Sequence, residues 1–193
     1  MVRIAELSRV LIPALWAIWI VGWLLAAIGT KRTQWHETRS AAFWNRAPVL
    51  LGTIMLVLPR WLPGALTYRF VPPGPNLPAI GTGLVLLGLL FAAWARIHLG
   101  GNWSSTVTVK EGHTLITGGP YRWVRHPIYT GMLVALLGTA LAIGAAYGFI
   151  AAALILLGFV IKLMAEEERM RATFPGQYAD YSRRTARLVP GVF

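Results

Sequence analysis

The chain has 193 residues, 56% of them hydrophobic and 13% charged, and its mean hydropathy of +0.58 exceeds what a soluble domain can hide in its own core. Eighteen Lys and Arg against seven Asp and Glu give a formal charge of +11. With no reading element to carry it, that charge sets membrane orientation and not nucleic-acid binding. The absence of Cys excludes a disulfide framework, a thiolate nucleophile and a Cys-ligated metal or iron–sulfur site, and no metal is expected.

In chain order, Leu11 to Gly29 is 19 residues without a charge, close to the roughly 20 needed to cross a bilayer core, and reads as a first span. It follows Glu6 and lacks a small-residue cleavage site, so it reads as retained and not as a signal peptide. Ala47 to Pro59 offers only 13 uncharged residues between Arg46 and Arg60, and crossing there needs both arginines to snorkel. The proline-dense stretch 59–78 reads as a structured connector. Ala79 to Ala95 reads as a third span, with Gly81, Gly83 and Gly88 allowing close helix contact. Pro127 to Ile161 is 35 residues without charge; this is too long for one crossing and fits a hairpin of two short spans turning at 142–148.

Five spans put fourteen of the eighteen basic residues on one side. By the positive-inside rule that side is the cytoplasm, with the N-terminus outside and the C-terminus inside. The expectation is an all-α integral membrane protein of about five transmembrane helices, forming one domain. Residues 1–78 supply variable N-terminal spans, and 79–193 supply the catalytic core.

Two polar segments then share the cytoplasmic surface. The first runs from Arg96 to Gly131, where TVTV and TLIT alternate β-favouring residues with turn formers and read as a short extended excursion. It ends in GPYRWVRHPIYTG, residues 119–131. The second begins at Glu166, Glu167 and Glu168, which open an amphipathic tail helix that FPG at 174–176 interrupts. Simple structural roles exist for both. Pro127 suits the first turn of a helix with Arg125 and His126 as interfacial anchors, the acidic run can pair with Arg169 and Arg171 at helical spacing, and His36, His98 and His113 are ordinary loop histidines. Holding Arg, His, Tyr and Glu at one membrane depth is nonetheless costly unless they pair or bind something.

GPYRWVRHPIYTG is preceded by LGGNWS (99–104) and EGHTLITGG (111–119) and followed, after the hairpin, by Glu166, Glu167, Met170, Phe174, Tyr178 and Tyr181. In this order and spacing the motifs resemble the isoprenylcysteine carboxyl methyltransferase and phospholipid N-methyltransferase superfamily, over residues 96–190. The resemblance implies an integral membrane enzyme that uses S-adenosylmethionine at the cytosolic face. Its cofactor pocket is formed by the loop before the fourth helix and the C-terminal tail helix. Carried over by motif, the cofactor residues are His113, Leu115, Gly119, Tyr121, His126, Tyr129, Glu166 and Glu167. Met170 stands where the family usually has Leu, and FPG replaces the more usual FG.

The chemistry of the donor agrees with these residues. Its ammonium needs an acid, its carboxylate needs donors, and its sulfonium needs an aromatic or carbonyl surface. Glu167, the amides of 117–119 with His126, and Tyr121 or Tyr129 suit those tasks in turn. Methyl transfer is a displacement that needs alignment and exclusion of water. A carboxylate acceptor needs a cation to hold it, for which Arg125 is the candidate. An amine acceptor needs a base, for which Glu166 or His126 is suited. Arg125 and Glu167 are thus the expected catalytic pair. The expected acceptor is a prenylated or lipid-like carboxylate met among membrane lipids; a phosphatidylethanolamine-like amine is the alternative. Sterol reductases using NADPH share part of the signature but typically carry an HPNY-type motif followed by G-E, where this chain has Ile128 and Thr130–Gly131. The expected setting is a bacterial or archaeal cell membrane.

Overall fold

The computed structural model describes residues 2–28, 39–72, 74, 76–100 and 115–191. Among these residues seven α-helices occur in order: α1 (Val2–Ala27), α2 (Arg39–Val57), α3 (Gly64–Thr67), α4 (Leu77–Leu99), α5 (Pro127–Ile143), α6 (Ala146–Thr173) and α7 (Gln177–Arg184). Among the described residues three stretches, Glu6–Ala27, Leu77–Leu99 and Ala146–Thr173, are long and apolar enough to cross a membrane; the apolar parts of α2 (Arg46–Val57) and α5 are shorter. Large apolar side chains such as Ile18, Leu24, Leu25 and Leu87 face outward, which suits hydrocarbon surroundings and would be unfavourable in water. The expected turn of the hairpin falls at Gly144 and Ala145, between α5 and α6.

α4 and α5 form the centre of the molecule. Their backbones meet where neither helix carries a side chain: a Cβ on Gly88 would lie 2.4 Å from the Gly131 carbonyl oxygen, and one on Gly131 would lie 2.4 Å from that of Gly88. In lipid, where apolar burial gives little drive between helices, such close approach supplies the packing that holds them together. α1 lies against this pair. Thr82 donates to the Ser8 hydroxyl (3.0 Å), the Trp16 indole donates to the Thr139 hydroxyl (3.1 Å), and the Arg96 guanidinium donates to the carbonyls of Ala26 (2.6 Å) and Gly100 (2.8 Å), closing the ends of α1 and α4 together. α2 packs along α6, with Val49 and Leu56 against the cluster Leu136, Ala152, Ile155 and Phe159.

The connector 59–78 holds a 3-10 turn (Pro59–Trp61) and the short α3, as its prolines demand. It then docks on the hairpin turn, where Phe70 and Val71 amides donate to the Gly144 carbonyl and the Ala146 amide donates to the Tyr68 carbonyl. The tail differs from the sequence expectation. Glu166, Glu167 and Glu168 do not open a separate helix, because α6 runs unbroken to Thr173. No proline interrupts it before Pro175, and the residues after Lys162 are good helix formers. The break at FPG falls where expected and releases α7. The extended excursion expected over TVTV lies outside the described residues.

Candidate functional site around Glu166 and Glu167

Pro127 is the first residue of α5, where its missing N–H costs nothing. The residues just before it lie outside the helix and pair with the C-terminal tail. Val124 bridges Ala186 in parallel, the Arg125 amide donates to the Ala186 carbonyl (2.8 Å), and the His126 amide donates to the Arg187 carbonyl (3.1 Å). The Thr130 hydroxyl adds a bond to the Leu188 carbonyl (2.7 Å). The Tyr181 hydroxyl of α7 donates to the Tyr121 carbonyl (2.7 Å). Burial pushes the Tyr181 phenol up to about 12, and burial likewise pushes Tyr178 and Tyr121 upward.

Into this seam α6 delivers two adjacent carboxylates. Glu167 is 1% exposed. Its Oε1 accepts from Arg125 Nε (2.8 Å) and lies 3.4 Å from His126 Nε2; its Oε2 accepts from Arg171 Nη2 (3.1 Å) and Arg187 Nε (3.2 Å). A carboxylate offers about four lone-pair sites, so Glu167 is fully occupied. Burying such a charge alone would cost several kcal/mol, and these partners offset it. Glu166, one residue earlier and so turned about the helix, is 23% exposed. It accepts from the Tyr129 hydroxyl (2.9 Å) and lies 3.6 Å from His126 Nδ1 and 3.7 Å from Lys162 Nζ. The His126 imidazole therefore stands between both acids. The Tyr129 ring stacks on His126 (centroids 5.7 Å) and on Phe159 (4.8 Å), which fixes the hydroxyl toward Glu166.

Of the residues expected from sequence, the structure brings Arg125, His126, Tyr129, Glu166 and Glu167 together. Tyr121 shares their turn but buries its ring with Ala95 and Ile128, its hydroxyl directed to the Ala95 carbonyl at 3.4 Å. Gly119 opens the 3-10 turn Gly119–Arg122 beneath the His98 ring, which would lie 2.8 Å from a Cβ there. Leu115 is half-buried just before it, and His113 lies outside the described residues. Arg125 is more committed than its expected role supposes, since Nη1 also donates to the Ser182 carbonyl (3.1 Å) and to the Thr185 carbonyl. Its Nη2 makes no hydrogen bond among the described residues. Sequence reasoning missed Arg187 and Lys162. Lys162 sits four residues before Glu166 and could have been found by helical spacing; Arg187 carries no local signal, because only the folded tail returns it to α6.

A helical membrane protein in which a cationic loop and a C-terminal tail enclose paired acids is the class that this fold and site define. Residues 80–172 match the sequence profile of the isoprenylcysteine carboxyl methyltransferase (ICMT) family, and this stretch carries both the loop motif and the acids. Similar proteins include the protein-S-isoprenylcysteine O-methyltransferase B of Arabidopsis thaliana (30% identical over 115 residues, 58% of each chain) and the protein-S-isoprenylcysteine O-methyltransferase of Schizosaccharomyces pombe (30% over 111 residues, 56% of this chain and 47% of that protein). The cobalt-zinc-cadmium resistance protein CzcN of Cupriavidus metallidurans is 29% identical over 116 residues, 60% of this chain and 48% of that one. The matches thus span about half the length of these relatives. The fold is that of a solved eukaryotic intramembrane Ras methyltransferase ICMT, with a TM-score of 0.54 and 21% identity over 81% of this chain and 55% of that chain.

Proposed function

We propose that the chain is an integral membrane methyltransferase that moves a methyl group from S-adenosylmethionine to the carboxylate of a prenylated or similarly lipophilic acceptor. The observation that carries this reading is the meeting of His126 with both Glu166 and Glu167, which joins the two motif halves on one surface inside the family-matched segment. The relatives named as isoprenylcysteine O-methyltransferases favour a carboxylate over an amine or a sterol.

The residues present fit the donor. Glu166 keeps acceptor capacity for an ammonium, whereas Glu167 has none to spare; the acid role expected of Glu167 is therefore assigned to Glu166. When bound, the donor supplies a methyl group activated by its sulfonium. The protein's own work is placement. Glu167 holds Arg125 and His126 in position, Tyr129 holds Glu166, and the tail covers the loop and keeps water out. Arg125, with Nε and Nη1 engaged, meets the acceptor carboxylate through Nη2. In this reading the chain crosses five times, with α2 and α5 as short spans, the site faces the cytoplasm of a bacterial or archaeal cell, as the excess of Lys and Arg on that side supports, and residues 79–193 act as the catalytic core.

The test is transfer of labelled methyl from S-adenosylmethionine in membranes to three acceptors: a prenylcysteine analogue with a free carboxylate, phosphatidylethanolamine, and a total lipid extract with mass identification of product. A base-labile methyl ester on the first is expected. Label on an amine, or none on any acceptor, overturns the reading.

A further inference from the structure

The Gly119–Arg122 turn also leads into an exposed aromatic cluster. We propose that Trp94, Arg122 and Trp123 form a docking site for the headgroup of an anionic phospholipid in the leaflet bordering the candidate site. The rings of Trp94 and Trp123 meet edge to face at 5.6 Å, and Phe91 extends the row, 5.9 Å from Trp94. Both indoles remain open, at 42% and 44% exposure. They stand where the apolar run of α4 ends at Arg96 and just before that of α5 begins at Pro127, the depth at which indole partitions between acyl chains and headgroups.

The Arg122 guanidinium lies 4.8 Å from the Trp123 ring centroid. It is exposed and has no ion-pair partner among the described residues. Arg125, Arg171, Arg183 and Arg187 each face a carboxylate. A guanidinium set over an indole still presents N–H donors, and its planar fork matches two oxygens of a phosphate. A second Arg–Trp pair, Arg60 over Trp61 at 5.6 Å, lies in the connector, but Trp61 makes no ring contact among the described residues. A third, Arg96 over Trp23 at 5.9 Å beside Trp19, has its guanidinium engaged by the carbonyls of Ala26 and Gly100, so of these three pairs the one beside the candidate site joins an aromatic wall to a guanidinium without an ion-pair partner among the described residues. Charge complementarity selects an anionic lipid, and the same turn ties that lipid to Tyr121 and, through its carbonyl, to Tyr181.

The full chain is reconstituted in phosphatidylcholine containing a minority of phosphatidylglycerol, and native mass spectrometry counts the lipids retained after mild extraction. The native protein is expected to retain phosphatidylglycerol in preference to phosphatidylcholine. Arg122→Gln is expected to lower that preference about fivefold, the factor one juxtamembrane basic residue supplies, and Trp123→Ala to lower it similarly. Arg122→Lys, which keeps charge but not the planar guanidinium fork, falls between. Arg183→Gln, which removes another exposed charge, leaves retention unchanged. Equal retention by native and Arg122→Gln protein, or an equal loss with Arg183→Gln, overturns the site. Retention is read without catalysis, so failure here is separate from failure of the methyl-transfer assay.

Discussion

Arg125 Nε donates to Glu167 Oε1 across 2.8 Å, linking the loop before α5 to the far end of α6 at a point where both side chains are buried. Removing one member of such a pair leaves the other charged and unpaired, at a cost of about 3–5 kcal/mol. Glu167→Ala is expected to lower stability by that amount in reversible denaturant unfolding in detergent, and Glu167→Gln by less. A loss below about 1 kcal/mol, the scale of an exposed ion pair, would show that the arginines do not depend on Glu167.

Glu166 and Tyr129 are expected to govern donor affinity instead. Glu166→Gln should weaken binding of S-adenosylhomocysteine by about tenfold or more, the range for a hydrogen bond to a charged group, while Tyr129→Phe, which only frees Glu166 from its hydroxyl, should weaken it less. Calorimetric titration of the purified variants measures both. Native affinity in Glu166→Gln would return the acid role to Glu167.

Arg187 acts from the tail, and its backbone carbonyl and side chain touch His126 and Glu167 respectively. Arg187→Ala is expected to reduce kcat more than donor affinity, and Arg187→Lys to recover part of the loss. Arg171, more than half exposed, makes its bond at the helix surface, so Arg171→Ala should have the smaller effect in the same steady-state assay.

Close contact of α4 and α5 predicts intolerance of a single methyl group. Gly88→Ala or Gly131→Ala places a carbon 2.4 Å from a facing carbonyl oxygen, and overpacking of this kind costs about 1–3 kcal/mol. Thermal unfolding should show the loss for either variant. Gly83→Ala, with open space around it, is the matched control and should be neutral.

Because burial raises the Tyr181 phenol from 10.0 to about 12, the fold favours its neutral form. That contribution is complete below pH 10 and is lost as pH climbs through about 12. The alkaline absorbance titration of native protein minus that of Tyr181→Phe should show a phenol ionising well above the unfolded midpoint, and a difference midpoint near 10 would place Tyr181 in solvent.

Much of this protein was legible in order along the chain. The uncharged run from Pro127 to Ile161 implied a hairpin because hydrocarbon thickness limits helix length, and the structure turns at Gly144. The break at Pro175 was equally local, since proline cannot continue a helix. The continuity of α6 through Glu166 was missed by treating the first charges as a new beginning, although nothing in the backbone stops there. The resemblance carried by GPYRWVRHPIYTG rested on spacing and held against the family profile over residues 80–172.

What residue order could not supply is which partners each charge meets. Sequence alone placed Arg125, His126, Glu166 and Glu167 on one surface, because period and membrane crossing are local constraints. Only the tertiary structure brought Arg187 back to Glu167, saturated that carboxylate and left Glu166 partly open. Those outcomes depend on the tail's path over the loop, and lone pairs are filled by neighbours in space, whatever their distance along the chain.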